Sequence, residues 1–371
     1  MNPAATAGAV SGTPPNPGAG GANPFWEVTN LFAQANKQGA VSGYVLGAEP
    51  LNGGGQANPG NFLRGLRLIV RSSGGVIGAG VLSPDAPFSL FSSLGLENTD
   101  GAAILYNTIN GYAYAQANRF FRPWLRDPST GYDYSASVNP SFTIFLQPEV
   151  RQQLGVLENT DTRSQYRYDM NIAASSAVFS TAPTTLPTVS VTPYVDMWAQ
   201  PDSTDLEGVA NQRIPSGANL QTKLRHQVFT LNGAGSDNTM LSNLTGNAIR
   251  AAMLVVRDST DARQDYLSNP IQWTLDARNL GTLSPDVVFQ WMEDQYEGWG
   301  GRARPTGVYV FPRFYDPGNL YGQGWLYTAN STALQWESST ASTAVNVPGT
   351  VELLQEEVYA VGAVDPSLID L

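Results

Sequence analysis

Two stretches of the chain share one pattern of polar and apolar positions. Residues 61–71 (NFLRGLRLIVR) and 247–257 (NAIRAAMLVVR) each open on Asn, carry Arg three positions on (Arg64, Arg250), and continue as an apolar run, interrupted in the first by Arg67, that is closed by Arg (Arg71, Arg257). A short apolar run bounded by polar residues predicts a buried strand, and its recurrence predicts an internal repeat.

The flanking segments repeat in the same order. In the first copy, strands are predicted at 43–46, 61–71, 76–82, 88–96, 141–146, 166–170 and 188–192, the last running on to Trp198, with a Gly-rich turn at 52–55. A helical patch with Ala113, Ala117, Phe120 and Phe121 on one face stops at Pro123. In the second copy, 227–231 takes the place of the strand around Tyr44, a polar Gly/Asn turn follows, and 273–275 matches the strand near Phe88. A second helix is predicted with Ser284 as cap, Pro285 and Asp286 in its first turn, and Val288, Trp291, Met292 and Tyr296 down one face. Strands at 307–311, 326–328, 332–336 and 350–354 complete it, with Thr188-Val189 aligned on Thr350-Val351. About eight short strands per copy, with one helix inserted before the final strands, predict an all-β protein of two tandem eight-stranded jelly rolls, residues 39–200 and 220–362.

The segments outside the rolls differ in texture. Apart from Met1 and Val10, residues 1–22 are Gly, Pro, Ala, Ser, Thr and Asn with no charged side chain, a composition that buries too little apolar surface to offset its ordering. Asn23 and Pro24 then open a short amphipathic helix with Phe25, Val28, Leu31, Phe32 and Ala35 at helical spacing, ended by Asn36 and Gly39. Its apolar face either packs on its own domain or docks on a membrane or neighbouring subunit. Residues 1–38 are therefore arm and helix, the polar 201–219 a linker, and 363–371 a tail.

Composition narrows the function. The 371 residues carry a net charge of -11 and no basic run, which argues against a phosphate-neutralising nucleic-acid surface. There is no cysteine, so neither disulfides nor cysteine metal sites contribute. The N-terminus does not read as a secretory signal, and no apolar run is long enough for a transmembrane helix.

In its two β bodies, the helix inserted in each, the amphipathic segment 24–36 and the final strand 350–354, the chain resembles the double jelly-roll major capsid proteins of tailless icosahedral viruses with an internal membrane, especially the tectivirus group. The resemblance rests on architecture across nearly the whole chain. It implies a structural protein of the virion, assembled in the host cytoplasm: a homotrimer whose six rolls form a pseudo-hexagonal capsomer. Its partners would be neighbouring capsomers, penton and minor capsid proteins and, through the N-terminal helix, the internal membrane. Neither cofactor, metal nor nucleic acid enters. Trp198, Trp325 and Trp336 then serve either a buried trimer interface or core packing.

Chemistry-bearing residues are sparse. His226, the single histidine, stands at the start of a predicted strand without a nucleophile partner and reads as structural. Glu293, Asp294 and Glu297 fall on the second helix, with Glu293 and Glu297 on the face away from Val288 and Trp291, as a solvated surface requires. Asp258, Asp261 and Asp265 lack the glycine and terminal glutamate of a calcium loop. Gly53-Gly54-Gly55 and Gly300-Gly301 read as turns, not phosphate cradles, and the sequons at Asn243 and Asn330 are short matches of low specificity. The pattern points away from an enzyme. The rival reading is an extracellular two-domain carbohydrate-binding or glycan-cleaving jelly-roll protein, which needs exposed aromatics beside paired carboxylates.

Overall fold

The computed structural model describes residues 41–198 and 220–360, apart from 48, 50, 57–60, 99–103, 126, 151–153, 160–165, 243–246, 297–303 and 313–323. The arm, the helix carrying Phe25, Val28, Leu31 and Phe32, the linker and the tail lie outside the described residues.

The first roll contains β1 (Val41–Val45), β2 (Leu51–Gln56), β3 (Asn61–Ser73), β4 (Val81–Leu82), β5 (Phe91–Asn98), β6 (Ile104–Ile109), α1 (Gly111–Phe121), β7 (Phe142–Leu146), β8 (Leu157–Asn159), β9 (Tyr166–Ile172), α2 (Ser175–Val178), β10 (Phe179–Thr181) and β11 (Thr188–Trp198). One sheet has the order β1-β11-β3-β7, with β8 added on β3, and β2-β9-β5-β6 form the other; β4 and β10 make a separate ribbon. Numbering the eight main strands along the chain, the two sheets read 1-8-3-6 and 2-7-4-5, the order of a jelly roll.

The second roll contains β12 (Leu220–Leu231), β13 (Asp237–Ser242), β14 (Ala248–Arg257), β15 (Leu267–Leu275), β16 (Arg278–Leu283), α3 (Pro285–Tyr296), β17 (Val308–Pro312), β18 (Leu326–Tyr327), β19 (Leu334–Thr340) and β20 (Gly349–Ala360). Its sheets, β12-β20-β14-β17 and β13-β19-β15-β16, follow the same two orders. The protein is all-β, a double jelly roll. The two stretches that opened the sequence reading are the third main strand of each roll.

A parallel pairing of β6 with β12 at Tyr106 and Leu224 joins the rolls into one nine-stranded sheet. Because these two strands run the same way, the rolls share a polarity. The connections β1–β2, β3–β5, β6–β7 and β9–β11, with their counterparts in the second roll, gather at one end of the molecule. The chain enters at Val41, leaves the first roll at Trp198, re-enters at Leu220 and leaves at Ala360, all at the opposite end, the base.

Alternation along the strands builds the core. Leu66, Leu68 and Val70 of β3 face inward with Ile144, Leu146, Val189 and Val191, and the buried apolar cluster continues through the second roll. Each fully buried side chain of this size contributes about 1.5–3 kcal/mol.

Several sequence expectations are corrected. The predicted turn at 52–55 is strand β2, paired along its length with β9. Glycine is required there because a Cβ on Gly54 would stand 2.6 Å from the Tyr168 carbonyl oxygen. The polar turn after Leu231 holds β13, whose alternation was hidden because two of its buried residues are polar: Asn238 donates to Thr340 Oγ1 (3.0 Å) and Ser242 to Gln355 (2.6 Å). The predicted strand at 76–82 reduces to β4 and an isolated bridge between Val76 and Thr185. The final alignment shifts by two residues: Arg71 faces Ser190 and Arg257 faces Thr350, so Ser190, not Thr188, matches Thr350. Trp336 packs in the second roll's core with Trp273 and Phe311, and Trp325 is buried beside Val150 and Val358, so neither side chain is offered to a trimer interface. The side chain of Trp198 lies outside the described residues.

Candidate functional site: the seam between the rolls

The repeated arginines occupy the same place in both folds. In the β3–β11 ladder, Gly65 faces Asp196 and Leu63 faces Met197, so Arg64 is an extra, bulged residue. In the β14–β20 ladder, Ala251 faces Glu356 and Ile249 faces Glu357, and Arg250 is the bulged residue. A bulge re-aims a side chain, and here it turns Arg64 and Arg250 toward carboxylates. Asp196 and Glu356 are accordingly equivalent positions.

Their surroundings differ. Arg64 reaches Glu149 at 2.6 Å and Asp196 at 3.6 Å near the surface. Burial pushes the Asp196 carboxyl up, against the opposing pull of Arg64 and Arg67. Arg250 is fully buried: it pairs with Glu356 at 2.5 Å, donates to the Phe121 carbonyl at 2.8 Å, and has the Trp124 ring 5.2 Å from its guanidinium carbon. Arg122 of the first roll pairs with the other oxygen of Glu356 at 2.5 Å. Glu356 thus stands between one guanidinium from each roll. Nearby, Thr222 donates to the Pro148 carbonyl at 2.5 Å, a further bond across the seam.

A second cluster forms nearer the loop end. Arg257 of β14 pairs with Asp85 of the first roll at 2.6 Å and with Glu352 of β20 at 2.8 Å, while Arg263 pairs with Asp85 at 2.7 Å. Glu352 also accepts from Asn110 at 2.8 Å and lies 3.0 Å from His226 Nε2. Burial alone would raise the Glu352 carboxyl, but the hydrogen bonds and charges of His226 and Arg257 together hold it below the usual range. The ring of Tyr112 lies 4.4 Å from Arg263 and 5.6 Å from Arg257. A cleft of about 240 Å³ opens here, lined in part by Asp85, Asn110, Tyr112, Arg257, Asp261 and Glu352.

Helix α1 carries the seam. Asn110 caps it, accepting from the Ala113 amide at 2.8 Å, and the same side chain bridges to Glu352. Every α1 residue except Arg119 is buried, because the helix packs on β5 and β7 of its own roll and on β14 and β20 of the other.

The acidic residues singled out in the sequence are dispersed. Glu293 and Asp294 are exposed on α3; Glu297 lies outside the described residues, as do Gly300-Gly301 and the sequon at Asn243. Asp258 is held by its own loop, accepting from Thr260, Ala262 and Gln264, and these bonds keep its carboxyl low against desolvation. Asp265 makes a two-point pair with Arg304 at 2.8 Å and accepts from the Gly307 amide, and Asp261 lies 3.6 Å from Arg257. Among the described residues no group of three or more His, Asp or Glu is arranged to hold a metal ion. Asn330 sits in an exposed turn. Sequence reasoning missed Asp85, Arg122, Glu352 and Glu356. The signal was available in the last strand, where carboxylates interrupt an otherwise apolar run (VELLQEEV).

No family model matches the chain, and no curated protein matches it in sequence. Solved structures are similar in fold. A chain from the atomic structure of Sulfolobus turreted icosahedral virus aligns with a TM-score of 0.61 at 13% identity, over 90% of this chain and 94% of that one. A chain of the PBCV-1 virus capsid gives 0.54 at 11% identity, over 86% and 92%. The major capsid protein P2 of bacteriophage PM2 gives 0.50 at 11% identity, over 89% and 98%. At these identities the likeness is one of fold.

Proposed function

We propose that this chain is a viral major capsid protein, a structural subunit that acts by self-assembly. The observation that carries the reading is the pair of like-ordered, like-directed jelly rolls joined side by side, matched along nearly the full length of capsid proteins in other virions. Three copies form a homotrimer whose six rolls make a pseudo-hexagonal capsomer of an icosahedral shell. The loop end faces outward. The base, from which residues 1–40 depart, faces an internal membrane, with the segment containing Phe25, Val28, Leu31 and Phe32 as the contact and penton and minor capsid proteins as neighbours. In the described residues no exposed aromatic cluster lies beside paired carboxylates, so nothing favours the glycan-directed reading.

Light scattering on the purified full chain is expected to give the mass of three copies, and electron microscopy of the source particle pseudo-hexagonal capsomers above a bilayer. A monomer at all concentrations would overturn the proposal.

A further inference from the structure

Between the ion pairs that hold the rolls together, a cleft of about 240 Å³ stays open at the loop end of the seam. It lies where the start of α1 meets β14 and β20, and residues of both rolls line it. Ligand sites form preferentially at such domain boundaries, where a few polar groups converge in a hollow with apolar walls.

Much of the polar lining is already committed. Asp85 accepts from Arg263 at one carboxylate oxygen and pairs with Arg257 at the other. Glu352 accepts from Arg257 at one oxygen and from Asn110 at the other, with His226 beside it. Other groups are not committed. Tyr112 is 5% exposed, yet its hydroxyl has no hydrogen-bond partner among the described residues, and the buried hydroxyl of Ser89 has none either. Asp261 presents a side chain that is 84% exposed, 3.6 Å from an Arg257 that two closer carboxylates already hold. Its turn is fixed, because the Asp261 amide donates to the Asp258 carbonyl at 3.0 Å and the Asp261 carbonyl accepts from Arg257 at 3.1 Å.

Charge divides in the same way. Arg257 and Arg263 balance Asp85 and Glu352, which leaves the negative charge of Asp261 unmatched. A hard metal cation needs several free oxygen ligands, and those of Asp85 and Glu352 are occupied. An enclosed hydroxyl without a partner is unfavourable, and a ligand that brings a donor to it relieves the penalty.

We propose that this cleft binds a primary alkylammonium group. Its three N–H donors are matched by the Asp261 carboxylate and the hydroxyl oxygens of Tyr112 and Ser89, and its methylene chain by the wall of Phe91, Ala173 and Ala177. Such a group is carried by a free polyamine or by a lysine side chain of another protein. Because the lining comes from both rolls, the bound cation ties one to the other at the loop end, and binding stabilises the folded chain.

Calorimetric titration and thermal unfolding of the purified full chain test this with putrescine and with N-acetyl-lysine amide. Both are expected to bind and to raise the melting temperature. Tetramethylammonium, a cation without an N–H, is expected to do neither. Tighter binding of putrescine points to a free polyamine as occupant, and tighter binding of the lysine compound to a partner's side chain. Tyr112→Phe and Asp261→Asn are each expected to weaken binding about tenfold. Since Tyr112→Phe removes only a hydroxyl that lacks a partner among the described residues, the ligand-free variant should melt no lower than the native protein. A purely structural tyrosine would give the opposite pattern, a lower melting temperature with binding unchanged. Absence of binding by both amines, equal binding of tetramethylammonium, or amine binding that survives both substitutions would overturn the proposal. None of these readouts depends on assembly, so the capsid reading stands or falls separately.

Discussion

Neutralising Glu356 should damage the protein far more than neutralising its repeat partner Asp196. Glu356→Gln keeps the shape of the side chain but leaves Arg122 and Arg250, each within 2.5 Å of that carboxylate and both almost wholly buried, without their shared counter-charge. Removing one partner of a buried pair costs about 3–5 kcal/mol, because the remaining charge is desolvated and uncompensated. Asp196→Asn leaves Arg64 its closer partner Glu149, and Arg67 is more than a third exposed, so the loss there is about 1 kcal/mol or less. At ~2.1 cal/mol/K per residue, a loss of ~4 kcal/mol over the chain lowers the melting temperature by about 5 °C, against about 1 °C for Asp196→Asn. Calorimetry of the purified variants, beside urea unfolding, measures both. Equal losses at the two sites, or a loss below ~1 kcal/mol for Glu356→Gln, would refute the view that the buried seam, not the bulge as such, gives the arginine its weight.

Two further outcomes are expected. Ser284→Ala removes only the cap of α3 and should cost about 1 kcal/mol, whereas Asn110→Ala removes a cap and the bridge to Glu352 and should cost about 2 kcal/mol, both read from urea midpoints. Glu352 is held below its ordinary range when folded, so the unfolded chain takes up that proton more readily, and the stability Glu352 contributes is lost as pH falls from the ordinary glutamate range through the lower folded value. Glu352→Gln should flatten that part of an acid-unfolding profile, and an unchanged slope would sink the assignment.

Much of this architecture was legible because the pattern in the third strands is unusual. Because Arg64 and Arg250 recur at the same offset in two similar stretches, they were expected at equivalent places in the two folds, and both sit at matching bulges. Strand β2 was not legible, since three successive glycines signal a turn, and in the strand the closeness of the Tyr168 carbonyl explains Gly54 while Met170 lies against Gly53. Strand β13 escaped because its buried positions include Asn and Ser, whose partners lie about a hundred residues away. The seam was the least legible part. Asp85 and Arg257, or Arg122 and Glu356, are unremarkable charges until the parallel joint of β6 and β12 brings the rolls together.

That joint also governs where foreign sequence can be carried. With both rolls pointing the same way, a label fused ahead of Val41 or beyond Ala360 starts from one side of the molecule. A peptide spliced between β19 and β20 emerges from the other. A fluorophore on one and an epitope on the other therefore mark opposite ends of a single chain, and in the shell proposed above they test which end faces outward.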